Sequence, residues 1–116
     1  MLETTRCYKI KLRDGTAEIV QAWANELNTR KDEVIKTLLA EKVSLEAVFL
    51  DHQADGAYLV YMMRAPDFDF AAKTARESGD PIDVYHRAFK KACWERSEIL
   101  PLLVDFCVEN QIAQQE

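Results

Sequence analysis

The stretch SLEAVFLDHQADGAYLVYMMR, residues 44–64, restricts the fold more than any other part of the chain. Two runs rich in β-formers flank QADG, and Asp55-Gly56 is a strong hairpin signal. In the first run Leu45, Ala47 and Phe49 alternate with Glu46, Val48 and Leu50. In the second, Leu59, Tyr61 and Met63 alternate with Tyr58, Val60 and Met62. Both faces of the hairpin are therefore largely apolar. A sheet with one face in water alternates more cleanly. Helices of the same chain can cover one face. The other, carrying Val48, Leu50, Val60 and Met62 or their alternates, needs a second cover.

The flanking segments fix what the hairpin belongs to. In TTRCYKIKLR, Tyr8, Ile10 and Leu12 point one way and Cys7, Lys9, Lys11 and Arg13 the other, a period-two strand. Asp14-Gly15 ends it, and Thr16 is placed to cap a helix. Residues 16–42 then carry a helical stripe of Val20, Trp23, Leu27, Val34 and Leu38, interrupted by Arg30-Lys31. A helix of that span is roughly 40 Å long, whereas an eight-residue strand is about 27 Å. The helix must break near Asn28-Thr29 or overhang its own sheet, where Val34, Ile35, Leu38 and Leu39 would need a partner subunit. After the hairpin, Asp67 and Gly79 bound a short helix as N-cap and C′ residue. Asp80, Pro81 and Asp83 open another helix, DPIDVYHRAFKKACWER. ILPLLVDFCV reads as the last strand, with Pro101 at its start or on an edge.

The order is β-α-β-β-(αα)-β. Two right-handed crossovers around a hairpin give an α+β, ferredoxin-like domain: a four-stranded antiparallel sheet with helices on one face. The bare face points to a homodimer in which two sheets pack together. The Lys9-Lys11-Arg13 row would then need acidic partners such as Glu46 or Asp105, or an anionic ligand. Residues 1–110 make one domain, and 111–116 form a polar tail.

The chain has 116 residues and a net charge of −5, which disfavours non-specific nucleic-acid binding. Cys7, Cys93 and Cys107 are odd in number and widely spaced, so neither a disulfide framework nor a zinc site is expected. The start lacks the apolar run of a signal peptide, and ILPLLVDFCV is too short to span a bilayer. A cytoplasmic protein without membrane or nucleic-acid partners is expected. Phosphate loops, zinc-protease motifs and nucleophile elbows are absent from the sequence.

Candidate chemistry gathers on the second long helix. At 100° per residue, Ile82, His86, Phe89 and Cys93 form one inward face with Tyr85 close by. His86 is either a buried neutral histidine that packs, or a pocket group able to bind a small molecule or move a proton. A metal is not expected, because one histidine without spaced partners is a poor site. Cys93 lies two turns from His86, too far for a Cys-His nucleophile. Trp94 is off the stripe, at the core edge or a pocket mouth. Trp23 and Tyr61, from the first helix and the hairpin, face the same inter-layer space. His52, beside the turn, reads as solvated.

The segments ELNTRKDEVIKTL, VFLDHQADGAYLVYMM, PIDVYHRAFKKACWE and LLVDF together resemble a small uncharacterised bacterial family of the dimeric α/β-barrel superfamily. The resemblance implies the ferredoxin-like fold, a dimer, and a site between sheet and helices. Relatives in that superfamily include cofactor-independent monooxygenases, haem-degrading enzymes and proteins that only bind a ligand. No residue set here matches any one of those enzymes. The resulting expectation is a dimeric binding module for a small apolar or aromatic ligand, with His86, Tyr85, Trp23 and Tyr61 around the pocket and no cofactor. The alternatives are a cofactor-independent oxygenase or isomerase with His86 as acid–base group, and a purely structural dimer.

Overall fold

The computed structural model describes residues 2–108. The expected tail, 111–116, lies outside them. The elements are β1 (Thr4–Leu12), α1 (Ala17–Thr29), α2 (Lys31–Glu41), β2 (Leu45–Gln53), β3 (Gly56–Ala65), α3 (Phe68–Glu77), α4 (Pro81–Cys93) and β4 (Trp94–Ile99). The strands form an antiparallel sheet ordered β2-β3-β1-β4. This is the ferredoxin-like α+β arrangement, with each crossover carrying two helices.

Strand register assigns the faces. Ile10 lies opposite Leu59, Tyr8 opposite Tyr61, and Tyr61 opposite Val48. Ile10, Leu12, Leu59 and Tyr61 are buried on this face with Val20 and Trp23 of α1 and Phe89 and Cys93 of α4. A second cluster joins Leu38 of α2 to Val43, Ala65 and Ala71 of α3. The opposite face carries Ala47, Phe49, Val60 and Met62, paired Ala47–Met62 and Phe49–Val60 across β2 and β3. Val48 and Leu50 belong to the helix side: Val48 packs on the core, and Leu50 stands opposite Leu59. Of the two alternating sets in β2, the one containing Phe49 is the bare one, and Phe49 is 56% exposed.

The long helical stretch does break, at Arg30, whose guanidinium bridges Glu26 of α1 and Glu33 of α2. The polar pair that interrupts the apolar stripe is therefore the joint. The break turns Val34 and Leu38 onto the second core cluster. Ile35 and Leu39 remain exposed. Asp67 caps α3 as expected, accepting from the Phe70 N–H at 3.0 Å. Two other capping expectations are corrected. Thr16 stands at the N-cap of α1, but its hydroxyl donates back to the Arg13 carbonyl at 2.7 Å. Gly79 is not a left-handed terminator, because α3 ends through Ser78 in extended backbone.

The largest departure is the last strand. β4 is Trp94–Ile99, and it leaves α4 without an intervening residue. The segment WERSEI has the charges of an edge strand and too little apolar alternation to announce itself. ILPLLVDFCV contributes only Ile99 to the sheet. The Leu100 N–H still donates to the Cys7 carbonyl at 2.9 Å. Pro101 then holds φ near −65°, far from the roughly −140° of an antiparallel strand. Residues 100–107 form an arm without regular structure. Asp105 pins it, accepting from the Thr5 N–H (2.9 Å), the Thr5 hydroxyl (3.1 Å) and the Arg64 guanidinium (2.9 Å). Asp105 is therefore not a partner of the Lys9-Lys11 row, and neither is Glu46, which faces the helices. Lys9 instead stands opposite Glu98 of β4, with its ammonium 4.7 Å from the Tyr58 ring centre. Around the Asp105 anchor, apolar side chains project outward: Leu103 is 90% exposed and Phe106 92%.

Candidate functional site

A cavity of about 340 Å³ lies between the sheet and helices α2, α3 and α4. That is the lower end of the range for small-molecule sites. Tyr8, Tyr61 and Met63 line it from the sheet, Val34 and Thr37 from α2, and Ala72 and Ala75 from α3. The alanines of α3 leave the space that larger side chains would fill. α4 contributes Ile82, Asp83, His86, Arg87 and Lys90, and Trp94 follows at the start of β4.

His86 reaches this cavity because the helical phase of α4 turns it inward with Ile82, Phe89 and Cys93. The Trp23 indole N–H donates to His86 Nδ1 at 3.1 Å across 63 residues of sequence. Trp23 itself stacks on Phe89, with ring centres 4.3 Å apart and planes within 5°. An indole nitrogen only donates, so Nδ1 is bare and the neutral ring carries its proton on Nε2. Among the described residues Nε2 has no protein partner. Burial, reinforced by the Lys90 ammonium, pulls the His86 pKa down to about 4. At neutral pH His86 is thus a neutral hydrogen-bond donor beside the cavity, and its one bare nitrogen is already occupied. This suits ligand binding better than proton abstraction. The depressed pKa also couples to folding. The unfolded ring takes a proton near pH 6.5 and the folded one near 4, so this stability is full above pH 6.5 and is lost as pH falls toward 4. In an NMR titration the His86 ring signals should stay unshifted from pH 8 to 5.5; a midpoint near 6.5 would refute the buried, indole-bonded geometry.

The four residues expected around the pocket divide. His86 and Tyr61 line the cavity. Trp23 stands behind His86 and orients it. Tyr85 packs against the main core cluster and does not line the cavity. Trp94 fills both roles considered for it: it packs on the core edge, lines the cavity, and meets Tyr61 edge-on at 6.2 Å. Cys93 is fully buried and its thiol is pushed up by burial, so it is inert. His52 is exposed.

The charged groups of the cavity escaped the sequence reading. Glu41, at the end of α2, is only 8% exposed. Glu46 of β2 lies opposite Met63 and so points to the helix side. Both line the cavity, and neither carboxylate has a hydrogen-bond donor among the described residues. Burial, together with neighbouring carboxylates, pushes each pKa up to about 7. Asp83 differs, because the hydroxyls of Thr37 and Ser78 donate to it. Lys90 forms no ion pair within 4.0 Å among the described residues; its ammonium rests 4.7 Å from the Trp94 ring centre. Burial lowers the Lys90 pKa. No grouping of three or more His, Cys, Asp or Glu suited to a metal occurs among the described residues. Among them, no helix is long and apolar enough to cross a membrane.

Comparison with known proteins places this architecture. A family described as "Family of unknown function (DUF6176)" matches residues 3–110. The chain belongs to that family. A comparison with curated proteins gives no match. Several solved structures share the fold. One is a NIPSNAP-family protein with unknown function from Agrobacterium tumefaciens, 14% identical, with 89% of this chain and 88% of that one covered and a TM-score of 0.58. Another is PA3566 from Pseudomonas aeruginosa, 11% identical, covering 90% and 97%, TM-score 0.55. A third, from Bacteroides fragilis, is a dimeric protein of unknown function with a ferredoxin-like fold; it is 15% identical, covering 90% and 94%, TM-score 0.52. At these identities the likeness speaks to the fold, and it agrees with the family resemblance carried by the four sequence segments.

Proposed function

We propose that this DUF6176 chain is a dimeric binding module for a small apolar or aromatic ligand. The observation that carries the reading is the cavity beside His86, into whose neighbourhood the ring offers an Nε2–H with no protein partner. A purely structural dimer would gain ground from a His86 sealed against a backbone carbonyl with no cavity beside it. Here its partner is an indole and a cavity is present. The aromatic surfaces of Tyr61 and Trp94 favour a flat or apolar ligand body, and the Nε2–H favours an acceptor on it.

Dimerisation is supported by three features. The bare sheet face carries Ala47, Phe49, Val60 and Met62, the arm exposes Leu103 and Phe106, and the Bacteroides fragilis neighbour is a dimer. Exposed apolar surface of this kind marks an interaction site.

Indole and 2-phenylethanol serve as neutral probes for the cavity. Titrated into labelled protein, they should shift the His86 and Trp94 ring signals saturably. Ala75→Leu, which fills the cavity from α3, should abolish those shifts while amide spectra stay folded. Shifts confined to the bare sheet face, or none at millimolar probe, would remove the reading.

A further inference from the structure

The polar groups of the cavity are unequally satisfied, and the inequality identifies a ligand class. Asp83 has two hydroxyl donors. The Arg87 guanidinium is spent on the Ala75 carbonyl at 2.7 Å. The Lys90 ammonium lies over the Trp94 ring. Glu41 and Glu46 alone hold carboxylates that line the cavity with no donor among the described residues. Glu41 is more than nine-tenths buried, and what its carboxylate still exposes opens onto the cavity. A buried carboxylate without donors is costly, and here two of them converge from different elements, α2 and β2, on one space. They interact electrostatically with each other, with Asp83 and with Lys90, so three carboxylates share one space with the cations Lys90, Arg76 and Arg87.

Building on the binding-module reading, we propose that the ligand is an amphipathic amine: an apolar or aromatic body ending in a protonated nitrogen. The ammonium lies between Glu41 and Glu46 and supplies the hydrogen bonds that each lacks. The body lies along Met63, Tyr61 and Trp94, within reach of the His86 Nε2–H. An anionic ligand would meet three carboxylates and would have to turn Arg87 or Lys90 away from the groups they already contact. A neutral alcohol would satisfy one carboxylate at most.

The groups that set the pH dependence come from every wall: Glu41 from α2, Glu46 from β2, Asp83, His86, Arg87 and Lys90 from α4, Tyr8 and Tyr61 from the sheet, and Arg76 from α3. Glu41 and Glu46 have values near neutrality, about 7 each. An amine that needs an ionised carboxylate must displace a proton below that pH. Its affinity should therefore rise about tenfold from pH 6 to pH 8 if one proton is displaced.

The test compares three isosteric probes by calorimetry on the full chain: 2-phenylethylamine, 2-phenylethanol and phenylacetate. At pH 8 the amine should bind at least about tenfold more tightly than the alcohol, and phenylacetate most weakly. The amine alone should gain affinity between pH 6 and 8. In Glu46→Gln, and separately in Glu41→Gln, the ratio of amine to alcohol affinity should collapse toward one. Equal binding of amine and alcohol in the wild type would overturn this proposal and leave the neutral-ligand cavity standing. Tightest binding by phenylacetate would overturn it in favour of Lys90 as the anchor. Binding by none of the three also overturns it; the indole titration then decides whether the cavity binds anything.

Discussion

Replacing Glu46 by glutamine should make the protein more stable at pH 8, by about 1–3 kcal/mol. Most substitutions of half-buried residues do the opposite. The sign follows from the environment. The carboxyl of Glu46 titrates at about 7 in the folded chain against an ordinary 4.5, because the ionised form loses water without gaining a donor. A raised carboxyl pKa means that the folded state binds more protons between pH 4.5 and 7. Stability from this group therefore falls as pH rises through that window and stays lost above it. Glutamine keeps the shape and carries no charge to desolvate. It also relieves Glu41, whose own pKa Glu46 helps to raise. The gain is reduced because Lys90 loses one attracting neighbour. The melting temperature at pH 8 should rise by roughly 5–10 °C, and the difference from wild type should vanish near pH 4. His86 pulls the other way, since its stability grows from about pH 4 to 6.5. With two carboxyls whose stability falls and one imidazole whose stability rises over this range, the wild-type profile falls toward pH 7, and Glu46→Gln should flatten it. A lower melting temperature at pH 8 would mean that Glu46 has a protein donor and that the unsatisfied cavity is wrong. A residue whose removal stabilises the fold is retained for something else, and binding is the natural reason.

The second large effect concerns assembly. Leu103→Glu combined with Phe106→Glu should convert the proposed dimer, of twice 13.4 kDa, into a monomer, with little change in protomer stability. Both side chains are at least nine-tenths exposed within one protomer, so the fold does not rely on them. Burying each against a second copy contributes about 1.5–3 kcal/mol. In a two-fold dimer every substitution acts twice. The dissociation constant should rise at least about a thousandfold, which light scattering at micromolar concentration reads directly. Val84→Glu, exposed on the outside of α4, serves as the control and should stay dimeric. If the wild type itself scatters as 13.4 kDa, the dimer is removed, and the arm must be covered in some other way.

Much of this was legible from the chain because it depended on local periodicity. The β1 alternation, the Asp55-Gly56 hairpin, the Asp67 cap and the inward phase of His86 are each set within one or two turns of sequence, and so is the helix break, one of two options and expected near Asn28-Thr29 but found at Arg30. Three features resisted for physical reasons. Edge strand β4 is polar, so nothing in WERSEI distinguishes it from the end of the helix before it, and the apolar segment after it attracted the assignment. The faces of β2 could not be told apart, because both sets of alternating residues are apolar; Glu46 was accordingly set aside as a partner for lysines on the wrong side of the sheet. The bond from Trp23 to His86 joins residues 63 apart, and no pattern reports it. Tyr85 illustrates a smaller limit. It is one residue from His86, and that 100° step carries it from the cavity to the core.

The direct passage from Cys93 of α4 to Trp94 of β4 has a mechanical consequence. No linker absorbs movement there, and the Arg13 N–H to Cys93 carbonyl bond of 2.8 Å ties the junction to the end of β1. α4 cannot slide or roll without dragging an edge strand with it. The wall that holds His86 and Lys90 is thereby fixed to the sheet, and it holds the facing wall in turn: Asp83 accepts from the Thr37 hydroxyl of α2, and the Arg87 guanidinium donates to the Ala75 carbonyl of α3.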